Sequence, residues 1–186
     1  MQLEAGWELP VTYGDESGER SAIRDTIALA DITARGKIDV RGTIDPVLDA
    51  AGDELTARIS PGWALVLTAP GGEEVLLPKL EAAAGSLITD ATHLYAGYAL
   101  CGPSVSEVIA RTSGWDPSTL DAGSATGAPI ADVRAVVVRR GPEMDVLEIY
   151  VGAEFARYVW ETLYQVAGTI GGRPVGWRAL RAEGWS

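Results

Sequence analysis

The sequence is poor in the residues that most often announce a chemistry. It has one cysteine, Cys101, and one histidine, His93. A lone cysteine excludes an internal disulfide and fits a reducing compartment, so the expected localisation is cytoplasmic. One cysteine and one histidine do not make a zinc site of the common kind, and no metal is expected. Basic residues are also scarce: 15 Lys and Arg against 26 Asp and Glu give a net charge of −11. Phosphate backbones and anionic membranes select a basic face, so neither nucleic acid nor a membrane is expected as a partner. No apolar run reaches the length that spans a bilayer. The acidic start, MQLEAGWELPVTYGDESGER, lacks the basic-then-apolar layout of a secretory signal. Walker-type phosphate loops and Gly-x-Gly-x-x-Gly are absent, and nothing marks a nucleophile elbow.

What is present suffices for a core. With 47% apolar and 22% charged residues among 186, the chain fits a single domain, 1–186. One stretch is echoed. Ala30 to Leu48 and Thr89 to Ile109 each open on Asp-x-Thr (Asp31 and Thr33; Asp90 and Thr92). Each then runs through a strand (Lys37–Val40; Tyr95–Leu100) to a glycine turn (Gly42; Gly102) and a short amphipathic helix. A second strand and helix follow in both, Trp63–Thr68 before GGEEVLLPKLEAAAG and Val146–Val151 before AEFARYVWETLYQVAG. The expected fold class is α+β, with two related strand–helix–strand–helix units at about 31–85 and 90–168 and a tail at 169–186.

Local signals fill in the rest. Met1–Gly18 reads as a loose leader, and Ser17 or Ser21 as the cap of a helix Ser21–Ala28 whose stripe is Ile23, Ile27 and Leu29. Glu54–Ile59 and Val133–Arg139 read as strands, Pro117–Gly127 as loop, and Gly141-Pro142 as a turn. Gly102-Pro103-Ser104 starts a helix with proline in the first turn. The helix Ala153–Ala167 has an apolar face of Phe155, Val159, Leu163 and Val166.

Few side chains offer chemistry. His93 titrates near neutrality and follows Asp90, which makes a base beside a carboxylate; the plainer alternative is a strand-edge histidine. Cys101 ends an apolar strand and reads as a buried, inert thiol. Arg139 and Arg140, with Glu148, suit a carboxylate or heterocycle; the alternative is a cross-strand ion pair. The tail concentrates Arg173, Arg178 and Arg181 against the acidic background, fitting an anionic ligand or a solvated face.

Several runs, taken in order, resemble the folate-binding superfamily of the aminomethyltransferases (glycine-cleavage T-protein). ADITARGKIDVRG looks like its opening Asp-x-Ser-x-x-Gly-Lys-hydrophobic-x-Val-x-Gly. Gly102-Pro103 and Asp116 to Leu120 match its Gly-Pro turn and Asp-Leu loop. Leu147-Glu148-Ile149 matches Phe-Glu-Ile, Trp160 its helix tryptophan, and Pro174-Val175-Gly176 with Leu180-Arg181-Ala182-Glu183 its closing motifs. The resemblance implies one-carbon chemistry: tetrahydrofolate as cofactor, and an N-methyl or aminomethyl donor. Glu148 would receive the donor N–H groups of the pterin, Arg139, Arg140 and Arg178 would attract the glutamate tail, and Asp90 or His93 would accept a proton.

The chain departs from the family in three places. A full-length T-protein continues into further domain structure beyond the position of Ser186. The family's Gly-Gly-hydrophobic-x-Asp-Asp segment, which supplies the acid at the folate amine, has only DELTARISPG (Asp53 to Gly62) in its place, so that acid is expected to be missing. The loop Arg-Thr-Gly-Tyr-Thr-Gly-Glu is reduced to Arg139-Arg140-Gly141-Pro142-Glu143, and the arginine ahead of Leu-Arg falls on Trp177. In this short form, and in EFARYVWETL, the chain looks like the gamma subunit of heterotetrameric sarcosine oxidase. That likeness implies other subunits of an oxidase complex as partners. Enzyme and accessory subunit both stand as expectations.

Overall fold

A computed structural model of the chain describes residues 1–83, 86–141 and 145–185. In chain order the elements are β1 (Gln2–Glu4), β2 (Trp7–Leu9), α1 (Glu16–Asp25), β3 (Ala28–Asp31), β4 (Gly36–Gly42), α2 (Asp45–Ala51), β5 (Leu55–Ser60), β6 (Trp63–Thr68), α3 (Gly72–Glu81) and β7 (Ser86–Asp90). They continue with β8 (Tyr95–Cys101), α4 (Val105–Thr112), β9 (Ala125–Ile130), β10 (Val133–Arg139), β11 (Val146–Gly152), α5 (Ala156–Gly168), β12 (Arg173–Pro174) and α6 (Trp177–Ala182). Short 3₁₀ turns sit at Thr92–Leu94, Pro117–Thr119 and Ala153–Phe155. The architecture is mixed α and β, as the patterning implied. The expected Gly141-Pro142 turn, the end of the shortened loop at Glu143 and the unit boundary at Gly85 lie outside the described residues.

Two sheets carry the fold. A four-stranded sheet runs β5-β6-β4-β7, and a six-stranded sheet runs β12-β3-β8-β11-β10-β9. Neighbours are antiparallel except β12 and β3. Successive side chains on a strand point to opposite faces, and the burial follows that period of two. Along β11, Leu147, Ile149 and Val151 join the core under α4 and α5, whereas Val146 and Tyr150 join a core between the sheets. Along β6, Ala64 and Val66 face α2 and α3, whereas Leu65 and Leu67 enter the shared core. The result is four layers: helices, sheet, sheet, helices. Strands buried on both faces read as nearly continuous apolar runs, which is why WALVLT and VRAVVVR stand out.

Two glycines are fixed by sterics. Gly102, at φ +123°, turns the chain out of β8, and a Cβ there would lie 2.7 Å from the Thr26 carbonyl oxygen. Gly97 pairs with Tyr150 across the sheet, and a Cβ there would meet the tyrosine ring at 2.9 Å. The bare backbone at 97 makes the room that seats Tyr150 between the sheets.

Several local expectations are corrected. The leader contains the β1–β2 hairpin, turned at Ala5 and Gly6, both at positive φ. The first helix begins at Glu16 and is capped by Asp15, whose side chain accepts from the Gly18 N–H at 3.0 Å. Leu29 belongs to strand β3 and Ile27 immediately precedes it; both face one core while Ala28 and Ala30 face the other. Asp90 does not open the second unit: it ends β7, which pairs with β4 in the first sheet. Ala125–Gly127, read as loop, begins the edge strand β9. Phe155, placed on the apolar face of the long helix, is 43% exposed.

The tail closes onto the leader through charge. Arg173 reaches Asp15 at 2.7 Å, Arg181 reaches Glu4 at 2.7 Å, and Arg178 reaches Glu16 at 3.3 Å. Beneath them the buried Glu19 carboxylate accepts from the Thr12 hydroxyl and from the N–H groups of Tyr13 and Gly176. Glu183 bridges Arg20 and Arg24 of α1. Hydrogen bonds from Arg24 and then Arg20 hold its carboxyl at about 2, below the ordinary 4.5. A depressed folded-state value stabilises fully above pH 4.5, and the contribution is lost as the pH falls through about 2. Urea denaturation across that window should show a shallower acid-side loss for Glu183→Gln than for the wild type; identical slopes would remove this bridge from the acid response.

Candidate functional site

The clearest polar construction in the interior lies in the seam between the two sheets. Glu148 sits on β11 at the register that points inward, between Val146 and Tyr150, and is fully buried. Arg35, on the turn between β3 and β4, donates from Nη1 to Glu148 Oε1 at 2.9 Å. Its Nε donates to the Thr68 carbonyl at 3.2 Å, at the end of β6, and its guanidinium lies 5.1 Å from the centroid of the Trp185 ring. Tyr150 donates its hydroxyl to Glu148 Oε2 at 2.6 Å. Arg140, just past β10, brings Nε to 3.6 Å from Glu148 Oε1. One carboxylate therefore ties together the ends of both sheets.

The electrostatics follow from burial. Arg35 is 4% exposed. Desolvation opposes its charge, but Glu148, Tyr150 and Glu54 outweigh that penalty, and its pKa lies above the ordinary arginine value. Burial first, and then the neighbouring carboxylate, push the Tyr150 phenol well above 10, so it stays a donor. A buried ion pair gains little over an apolar one, yet losing one partner strands a charge at a cost of about 3–5 kcal/mol.

Two cavities open on this cluster, and Arg35 lines both. One, of about 280 Å³, is walled by Trp177, Trp185 and Arg181. The other, of about 490 Å³, is lined by Arg35, Arg140, Thr56, Asp53 and Glu54. The segment Asp53 to Gly62, where the family's Asp-Asp acid is expected to be missing, brings its own Asp53 and Glu54 to this cavity.

The expected site residues divide. Glu148 and Arg140 come together, and Arg35, unremarked in the sequence, completes them. Arg139 faces away, donating to the Leu120 carbonyl at 3.0 Å. Arg178 is at the surface beside Glu16. Asp90 accepts from the Thr92 N–H at 2.9 Å, and His93 stacks on Trp7 with ring centroids 5.0 Å apart. His93 and Trp7 line a different cavity, of about 700 Å³. Cys101 is buried, and burial raises its thiol pKa well above the ordinary value, as expected of an inert position.

No family model matches the chain. Curated relatives do: an aminomethyltransferase of Saccharopolyspora erythraea is 25% identical over 203 residues, covering 92% of this chain and 55% of the relative. One of Geobacillus kaustophilus is 28% identical over 189 residues, covering 85% and 52%. Among solved structures, glycine cleavage system aminomethyltransferase T of Bartonella henselae superposes with a TM-score of 0.76 at 21% identity, over 96% of this chain and 56% of that one. The chain is aminomethyltransferase-like. A chain of heterotetrameric sarcosine oxidase from Corynebacterium sp. U-96, solved with pyrrole 2-carboxylate, superposes with a TM-score of 0.68 at 16% identity, over 88% of this chain and 95% of that one. The aminomethyltransferase-like chain thus shares its fold with both, and spans about half the length of the curated relatives it matches.

The seam cluster makes a stability prediction. Replacing Arg35 by Met should cost about 3–5 kcal/mol in urea denaturation, and the double variant Arg35→Met with Glu148→Gln should recover part of that loss. Additive losses would mean that the two side chains are not coupled.

Proposed function

We propose that this aminomethyltransferase-like chain belongs to one-carbon metabolism and binds tetrahydrofolate or a related ligand in the 490 Å³ seam cavity, assisting transfer from an N-methyl or aminomethyl donor. The observation that carries the reading is a cavity lined by Arg35 and Arg140, the two cations beside the buried Glu148 carboxylate, together with Asp53 and Glu54. A pterin presents an edge of adjacent N–H donors, which a fixed carboxylate accepts in a bidentate manner. The glutamate tail of folate carries carboxylates, for which Arg140 is the cation at the cavity wall. Glu54, close enough to act on the charge of Arg35, is better placed to take a proton than Asp90 or His93, neither of which lines this cavity.

For Glu148 to meet a ligand, Arg35 must give up its 2.9 Å contact. The exchange replaces one charge-assisted donor by another, so ligand binding and Arg35 position are coupled. The topology fits the same reading. The first sheet runs β5-β6-β4-β7; the second repeats that plan as β10-β11-β8, with β3 placed before β12. We take the halves as related units facing each other across the seam.

A second reading is a non-catalytic, gamma-type subunit of a heterotetrameric sarcosine oxidase. One observation favours it: Arg35 and Tyr150 already occupy both oxygens of Glu148. It predicts co-purification with flavin-containing chains.

Calorimetry with tetrahydrofolate separates the two. Saturable heat in the wild type, abolished in Glu148→Gln at a temperature where circular dichroism shows that variant still folded, is the expected result. No heat at millimolar ligand, or a Glu148→Gln variant that binds as the wild type does, would reject the folate reading.

A further inference from the structure

The 700 Å³ cavity has no part in the function proposed above. Its walls are aromatic: Trp7, Tyr13, His93, Tyr95, Tyr98 and Trp160. They arrive from separate pieces of chain, namely strand β2, the loop before α1, the 3₁₀ turn before β8, β8 itself, and α5. Their orientation is fixed. Trp7 and His93 stack with an interplanar angle of 20°. Tyr98 leans on Trp160 at 5.6 Å between centroids and donates its hydroxyl to the Ala156 carbonyl at 2.7 Å.

The charge in this cage is negative. Asp31, at the end of β3, lines it, and so does Glu8. One oxygen of Asp31 accepts from the Thr33 N–H at 2.9 Å. After burial, the Asp31 charge is what raises the Tyr98 phenol: the two are cross-strand partners on β3 and β8, side by side in the wall of the cavity. Arg157 also lines the cavity, but its Nε is held by Glu161 at 2.7 Å, and the side chain is 89% exposed.

We propose that this cavity is a binding site for a small alkylammonium ion of the tertiary or quaternary class, enclosed by the aromatic faces and neutralised by Asp31. Ring faces carry negative quadrupole density and attract a desolvated cation, with Trp and Tyr the strongest of them. An anion meets Asp31 and Glu8 and is repelled. A neutral aromatic stacks on the walls but draws nothing from the carboxylate. A primary ammonium needs hydrogen-bond acceptors for three N–H groups, and rings do not supply them. A methylated ammonium needs none for its methyl groups.

The test uses choline and its neutral carbon isostere, in which a tert-butyl group replaces trimethylammonium. Both are titrated into the whole chain and followed by calorimetry and tryptophan fluorescence. Choline should bind saturably, and the isostere about tenfold or more weakly, because shape is kept and charge removed. Asp31→Asn retains an acceptor for the Thr33 N–H; it should weaken choline about tenfold and leave the isostere unaffected. Glu148→Gln should not change choline binding, which separates this site from the folate reading. Equal affinity for choline and the isostere, or no saturation by choline at high millimolar concentration, would overturn the proposal. The wild-type comparison decides the matter even where a variant folds poorly.

Discussion

The carboxylate of Glu148 is the constraint from which the interior is arranged. It is held between the sheets, where an unpaired charge is not tolerated. Arg35 must therefore reach it from a turn 113 residues away, and Tyr150 must donate from the same strand. Each requirement propagates. Arg35 is steadied by the Thr68 carbonyl and the Trp185 ring, which fixes the end of β6 and the segment after α6. Tyr150 needs the vacancy opposite it that Gly97 leaves. A single buried acid thus links five separated pieces of chain: the β3–β4 turn, β6, β8, β11 and the tail.

Apolar packing alone would hold the two sheets together, since Leu65, Leu67, Val136 and Val138 fill the rest of the shared core. What the ion pair adds is register. Apolar side chains of similar volume exchange places at small cost, whereas a buried guanidinium has one acceptable position against its carboxylate. The tail is fastened by a different kind of interaction: surface pairs to Asp15, Glu16 and Glu4, each individually weak. Glu19, fully occupied by three donors, supplies the buried counterpart there.

The strands that pattern best in the sequence are those buried on both faces, β6, β8, β10 and β11, together with the long amphipathic α5. Shorter and edge elements escaped. β3 is a run of four residues, and its Leu29 with the preceding Ile27 fits a helical stripe as easily as a strand. β9 contains glycine and proline, tolerated because it lies at the edge of its sheet. The site was half legible. Arg139 and Arg140 are adjacent, so strand periodicity sends them to opposite sides, and Arg140 shares the parity of Val136 and Val138 that face the seam. Parity alone selects Arg140 to meet Glu148. Arg35 carries no such mark, because nothing local to a turn residue tells which distant acid it will meet.

Arg35 also sets what the seam is able to do. With Arg35 in place, the Glu148 carboxylate is satisfied and fully buried, and it is Arg35, not Glu148, that lines the cavity shared with Asp53 and Glu54. Glu54 acts on the charge of Arg35, so a guanidinium that moved into this cavity would meet acids there. The cost of opening the site is then the difference between two ion pairs, far smaller than the cost of stranding a buried arginine. On the folate reading proposed above, a ligand with paired N–H donors would supply the replacement partner for Glu148 in the same event. On that reading binding and rearrangement would be one equilibrium, and a ligand that fails to engage Glu148 would leave Arg35 where it is.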